Sequence, residues 1–317
     1  MEMKKKSSII DVARTAGVSP ATVSRVFNNH PYVKDDVRDA VLGAARKINY
    51  APQSTKPKNS IGILVHGEKY LALGTYETQL VVGISGELFN HGLTTEITTD
   101  QQAPLFHRNS FQVLIALSTV DRNISELGIP LILVNNKKDG VHSVVTDHFQ
   151  GIELAVEHLV AAGHKRIAYI AGISDSWGAA ERLRGYQETL IKHNIEYEES
   201  LHFASEKSNV IATTEKVLEQ NPTAIILSGE GRAQYLTYAL HNAGKKIPDD
   251  ISVISFEDRE VSPYLIPPHT TISQNIPNIA KAVAGVAMDI IINKSNRPLQ
   301  NITLTNDLII RESVKQL

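Results

Sequence analysis

Ten residues near the amino terminus, Ser19 to Asn28, carry side chains suited to reading DNA. Arg25 offers a guanidinium fork that pairs bidentately with guanine O6 and N7. Pro20 and Ala21 present apolar surface for a thymine methyl. Ser19, Thr22, Ser24 and Asn28 are short donors for phosphate oxygens, which fix register without specifying sequence. Tyr32, Lys56 and Lys58 complete the candidate DNA contacts, the lysines as phosphate partners. The competing reading is that the hydroxyls only cap a helix and Arg25 is solvated; capping, turn, spacing and charge together favour DNA. Catalytic chemistry has no comparable foothold. There is no His-Glu-x-x-His, no Gly-x-x-x-x-Gly-Lys and no Gly-x-Ser-x-Gly. Cysteine is absent and the 12 histidines are scattered. The expectation is a non-enzyme with no metal and no cofactor.

Such side chains work only if a short helix is held rigidly against others. Ile9, Val12, Ala13 and Ala16 recur at helical spacing and predict a first helix over 9–16. Gly17 ends it in a conformation that suits glycine. Ser19 is placed as the N-cap of a second helix, and Pro20 then sits at N1, where its missing N–H costs nothing. Val23, Val26 and Phe27 form the inward stripe. A third helix, Asp35–Ile48, is expected to bury Val37, Val41, Ala44, Ala45 and Ile48. The sum is a helix-turn-helix head. Charge agrees with it. Residues 1–60 hold 11 Lys and Arg against 5 Asp and Glu, whereas the whole chain is at −2. A basic head on an acidic body is the footprint of a phosphate-backbone binder.

Residues 51–60 carry prolines and lysines with almost no apolar content and read as a linker. From Ile61 apolar runs at 61–65, 113–117, 131–134, 167–171, 224–228 and 252–255 alternate with helical patterns near 77–91, 151–162, 181–194, 209–219, 232–243 and 277–293. That alternation predicts α/β architecture with parallel sheets covered by helices. The length favours two doubly wound lobes with a ligand cleft between them. The expected division is a head at 1–50, a linker at 51–60 and a body at 61–317. Within the body, the first lobe takes about 61–147 and 276–304, the second about 148–275 and 305–317. No apolar run is long enough for a signal peptide or approaches a membrane helix, so a cytoplasmic protein is expected.

The stretch GVSPATVSRVFNN followed by KDDVRDAVLGAARKINYAP closely resembles the head of the lactose/galactose repressor family of bacterial transcription regulators. The likeness runs on through GIELAVEHLVAAGHKRIAYIAG at 151–172, AAERLRGYQETL at 179–190, IPDDISVISFED at 247–258 and IPPHTTISQ at 266–274. The family implies a homodimer on a near-palindromic operator, with a body folded like periplasmic sugar-binding proteins. It also implies a hinge helix bearing a leucine wedge. Here Gln53–Ser60 has no leucine and contains Pro57, so the wedge is not expected. Eight such residues span at most ~28 Å. The galactose and evolved-β-galactosidase repressors look similar to this chain. Dimer contacts are expected from the helices near 77–91 and 277–293. No leucine heptads precede Leu317, so no tetramerising tail is expected.

The family's effector sits between the lobes, and its best-marked contact is an Arg in Arg-x-x-Gly-aromatic, here Arg182 to Tyr186. The fork of Arg182 suits adjacent hydroxyls or a carboxylate. Where many members hold an Asp, Glu257 stands. At Ser228-Gly229-Glu230-Gly231 relatives commonly show other residues; Glu230 is a candidate contact, in what reads as a strand-to-helix turn. Asp147 either lines the cleft or caps the helix after it. Trp177 either stacks on a pyranose face or lies at a surface or interface. His66, Tyr70 and Tyr76 follow the first body strand and are further candidates. The leading function is therefore an operator-binding repressor controlled by a small carbohydrate. The alternatives are control by a protein partner or a purine-like corepressor, and a cytoplasmic sugar-binding module with a vestigial head.

Overall fold

The computed structural model describes residues 7–27, 32–48, 50, 60–66, 75–99, 106, 110–117, 124–172, 176–229, 231–293 and 298–317. Asn28, residues 51–59 with Lys56 and Lys58, Tyr70 and Glu230 lie outside these.

The head is built from α1 (Ile9–Ala16), α2 (Pro20–Phe27) and α3 (Asp35–Lys47). Ser8 caps α1 reciprocally. Its hydroxyl accepts the Asp11 N–H, while its own N–H donates to the Asp11 carboxylate at 2.9 Å. Gly17 closes α1 at φ 69°, a left-handed conformation that costs glycine least. Val12, Ala13, Val23, Val26, Val41, Ala44 and Ala45 form a small core. Two expectations need correcting. The third helix stops at Lys47, and Val37 and Ile48 are half-buried, not buried. The Phe27 and Tyr50 rings, 5.8 Å apart, pack at the edge of this core.

The body holds two six-stranded sheets. The first comprises β1 (Ser60–Val65), β2 (Thr94–Thr99), β3 (Leu114–Leu117), β4 (Leu131–Val134), β5 (His142–Thr146) and β11 (Asn301–Leu304), in the order β11-β5-β4-β3-β1-β2. All its pairings are parallel. One face packs on α4 (Tyr76–Asn90) and α9 (Ile276–Asn293). The other is closed by Phe111, Ile124 and Ile129. The second sheet comprises β6 (Ile167–Gly172), β7 (His202–Ser205), β8 (Ala224–Ser228), β9 (Ser252–Phe256), β10 (Thr270–Ser273) and β12 (Asp307–Ile309), in the order β12-β10-β9-β8-β6-β7. Only β12 runs antiparallel. Its faces carry α5 (His148–Ala161) with α6 (Trp177–Lys192), and α7 (Val210–Glu219) with α8 (Ala233–Asn242).

The strands β1, β3, β4, β6, β8 and β9 are largely apolar because each is covered on both faces. The apolar runs did not reveal β2, β7, β11 and β12, which are sheet edges, nor β5 and β10, which are interior strands with polar residues in HSVVT and TTIS. An edge strand buries less, so its sequence stays polar, as in TTEITT of β2. The helices expected from 151 and 181 begin earlier, at His148 and Trp177, because Asp147 and Ser176 cap them. Helix α9 is long and apolar enough to cross a membrane by length and composition, against the expectation that no segment approaches this. Ile279, Ala280, Val283, Ala284, Val286 and Ala287 are buried against α4 and the first sheet, the packing of a core helix.

The chain passes between the sheets after β5, after β10 and after β11. These passages bring the carboxyl ends of strands from both sheets to face each other, where ligands bind in open α/β folds.

Candidate functional site

In the head, Ser19 Oγ accepts the Thr22 N–H at 3.1 Å and pairs with Thr22 Oγ1 at 2.8 Å. Both hydroxyls are therefore engaged in starting α2, with Pro20 at its first position. Ala21 and Arg25 are exposed on its outer side, with Thr22 and Ser24 half-buried beside them. Arg25 has no ion-pair partner among the described residues. Tyr32 is 89% exposed. Thr22, Arg25, Tyr32, Val33, Lys34 and Val37 line a groove of about 220 Å³ between α2 and α3. Lys34 was not singled out from the sequence; its place just before α3, whose first turn holds Asp35 and Asp36, concealed a basic side chain lining the same groove as Arg25.

In the body, Arg182 on α6 points its Nη1 at His148 Nδ1, 3.1 Å away. A guanidinium only donates. The imidazole must accept at Nδ1, so it is neutral and carries its proton on Nε2. Burial, and then the charges of Arg182 and Lys137, hold His148 well below its ordinary pKa. The Phe256 ring lies 5.3 Å from the guanidinium, a cation–π arrangement. Arg182 Nε is buried with no hydrogen-bond partner among the described residues. Gly178 gives His148 its room, since a Cβ there would stand 2.6 Å from Nε2.

The opposite wall comes from the first sheet and a chain passage. Asn135, at φ 52° just after β4, accepts the Thr146 N–H at 2.9 Å. Its amide donates to the Tyr76 hydroxyl and, at 3.3 Å, to Gln274 Oε1. Gln274 Oε1 also accepts from Thr146 Oγ1 at 3.0 Å. Burial, reinforced by Glu77 and Glu257, raises the Tyr76 pKa and keeps the phenol protonated. Glu257 Oε2 accepts the Gly231 N–H at 3.0 Å. Together Tyr76, Glu77, Asn135, His148, Arg182, Phe256, Glu257 and Gln274 surround a cleft of about 140 Å³.

Of the residues singled out from the sequence, Arg182, Glu257 and Tyr76 line this cleft. The others do not. Asp147 caps α5, its carboxylate accepting the Gln150 N–H at 2.9 Å. His66 is exposed at the end of β1. Trp177 opens α6, where a loop was expected. Its ring packs edge-on to His148 at 5.6 Å and takes Lys137 Nζ 4.6 Å above its face. It stands behind His148, bridging the lobes. Asn135, His148, Phe256 and Gln274 were missed. Each lies at or just beyond the carboxyl end of a strand, and that position was the available signal. Gly229, at φ 106°, leaves space for the buried Arg232, which donates to Ala171 O at 3.1 Å and Ser205 O at 2.7 Å. Arg232 thereby ties β6 and β7 together beneath the cleft. Among the described residues no group of His, Asp and Glu converges as metal ligands do.

Residues 8–53 match the family described as bacterial regulatory proteins, lacI family. Residues 156–314 match the periplasmic binding protein-like domain. The HTH-type transcriptional repressor PurR of Haemophilus influenzae (strain PittEE) is 27% identical over 98% of this chain and 99% of its own. The structure of the transcriptional regulator CelR in complex with cellobiose superposes with a TM-score of 0.75 at 24% identity, covering 97% of this chain and 100% of that one. The lac repressor dimer bound to operator gives 0.71 at 25% identity, covering 98% and 100%.

Proposed function

Because this chain belongs to the lacI family of bacterial regulatory proteins, transcriptional repressors with a ligand-binding body and no enzymatic activity, we propose that a small carbohydrate in the interlobe cleft controls its grip on operator DNA. One observation carries the reading: the cleft offers both halves of a polyol's hydrogen-bonding needs beside an aromatic face. Arg182 and the neutral His148 donate, the Glu257 carboxylate accepts, and Phe256 supplies the ring. A sugar hydroxyl both donates and accepts, so it suits such a lining, whereas a purely apolar ligand leaves these groups unpaired.

At the other end, Arg25 reads a guanine edge in the major groove, and Lys34 with the start of α2 holds phosphates. Two heads of a homodimer read the halves of a near-palindrome. Val82 and Phe89 on α4 and Ile292 on α9, exposed at 67%, 74% and 66%, supply apolar surface for that pairing. Effector binding alters the angle between the lobes and so the spacing of the heads. The protein acts in the cytoplasm, on the chromosome.

The test is fluorescence anisotropy of a labelled duplex from upstream of the protein's own gene, titrated with protein and then with galactosides, glucosides and purines. Release or tightening by a sugar supports the reading. Tight binding indifferent to every sugar, or a response to purines alone, overturns it.

A further inference from the structure

Outside the cleft lining, a cation of one lobe meets an aromatic ring of the other. Lys137 lies between β4 and β5, both strands of the first sheet. Trp177 opens α6, which packs on the second sheet. Lys137 Nζ stands 4.6 Å from the centre of the indole. Neither residue lines the cleft.

Each partner is held by its own lobe. Ser176 Oγ accepts the Ala179 N–H at 3.3 Å and fixes the first turn of α6. The Trp177 ring is backed by His148 at 5.6 Å, and His148 in turn by Arg182 and by the Phe256 ring at 5.9 Å. In the first lobe, Asn136 Oδ1 accepts the Lys137 N–H at 2.8 Å and braces the main chain there. The next lysine shows the other course open to such a side chain. Lys138 Nζ turns back to Ser125 Oγ in its own lobe at 2.7 Å, while Lys137 reaches across. Lys137 has no ion pair among the described residues, so the indole face receives its charge. Of the aromatic rings, indole attracts a cation best.

From this geometry we propose that Lys137 and Trp177 form a clasp that biases the two lobes towards the arrangement in which they meet. Any rotation that parts the lobes at this edge withdraws the ammonium from the ring. Contacts within one lobe are indifferent to it. An exposed cation–π contact shifts such an equilibrium about two- to fivefold. That is enough to set the sensitivity of a switch whose two states lie close in energy. A ligand of the cleft then acts on lobes already weighted by the clasp, and its apparent affinity follows that weight. The clasp does not depend on which ligand the cleft takes.

The test reads lobe geometry directly, with neither ligand nor DNA added. The chain has no cysteine, so spin labels attach only where cysteines are introduced. Asp139→Cys in the first lobe and Lys245→Cys in the second replace exposed side chains. Labelled full chain is diluted with unlabelled chain so that pairs within one chain are read, and pulsed electron paramagnetic resonance gives their distance distribution. Lys137→Gln should move population from the parent distances to longer ones by about two- to fivefold. Trp177→Leu should do the same, and the two changes together should do no more than either alone. Lys137→Arg keeps the cation and should keep the parent distribution. A distribution unmoved by Lys137→Gln overturns the inference. So do effects of the two changes that simply add, and a shift from Lys137→Arg as large as that from Lys137→Gln. Lys137 is exposed, so Lys137→Gln remains a fair test if Trp177→Leu disturbs the packing around His148.

Discussion

Arg182 cannot accept a hydrogen bond, so its contact with His148 fixes the imidazole tautomer and places a neutral ring at the base of the cleft. That arrangement depends on Gly178, which stands where a methyl would strike His148 Nε2. Gly178→Ala should turn the imidazole away and weaken the effector response by about tenfold, the scale of one misplaced polar contact. Operator affinity without effector should be unchanged; anisotropy titrations of both chains on one duplex check this. In the head, Arg25→Ala should cost about 1–3 kcal/mol and relax discrimination at one base pair of each half-site. Lys34→Ala should instead weaken all sequences alike and lower the salt slope by about one. Competition among single-base operator variants at several salt concentrations separates the two. Arg182 and Glu257 were legible through the family pattern their neighbours carry, and Tyr76 through its place after the first body strand. His148 and Gln274 were not, since a lone His or Gln becomes a site only when strands of two sheets bring it there.

At the level of helices and strands, the hydrophobic pattern was readable in the six interior strands that are continuous apolar runs, and not in the interior strands β5 and β10, whose buried positions include Ser143, Thr146, Thr270 and Thr271. Strands β4 and β8 match their apolar runs residue for residue. The edge strands β2 and β7 did not announce themselves, because their stability comes from pairing with β1 and β6 and not from burial of their own side chains. Buried polar links between elements are equally silent in sequence, and His269 is one. Thr237 Oγ1 donates to Ala233 O at 2.9 Å, so it accepts from His269 Nε2 at 3.1 Å; Nδ1 then accepts from the Ser255 hydroxyl at 3.1 Å. The neutral ring thus joins α8 to β9. Burial, and then the charge of Arg311, lower its pKa to about 4. The unfolded chain titrates near 6.5 and binds the extra proton between those values. Stability from this site is therefore complete above about pH 6.5 and falls as pH drops towards 4, by about 3 kcal/mol in all. His148 and His164, also depressed by burial, steepen the acid limb in the same direction. Urea midpoints between about pH 7 and pH 4.5 should decline less in His269→Asn than in the parent chain, since only one step is removed.

Across the whole molecule, the question is whether a change in the cleft reaches the head. Trp177, the single tryptophan, lies against His148 with Lys137 from beyond β4 over its face. Its emission should therefore report the relation of the two lobes, independently of DNA. Linkage makes a stronger demand. If effector changes operator affinity by some factor, operator must change effector affinity by the same factor, typically about 5–150-fold for couplings of 1–3 kcal/mol. Titrating effector against Trp177 fluorescence, with and without saturating operator, measures one side of that equality. Anisotropy with and without saturating effector measures the other. Equal factors well above one would show that lobe geometry and head spacing form a single two-state device. A clear Trp177 response with both factors at one would mean that the lobes answer the effector while the heads do not. The break would then lie in the segment between Pro52 and Ile61, which carries no leucine to wedge into DNA. Inserting a leucine-bearing helical turn there should raise both factors together if that segment is what limits transmission, and leave both at one if the fault lies within the body.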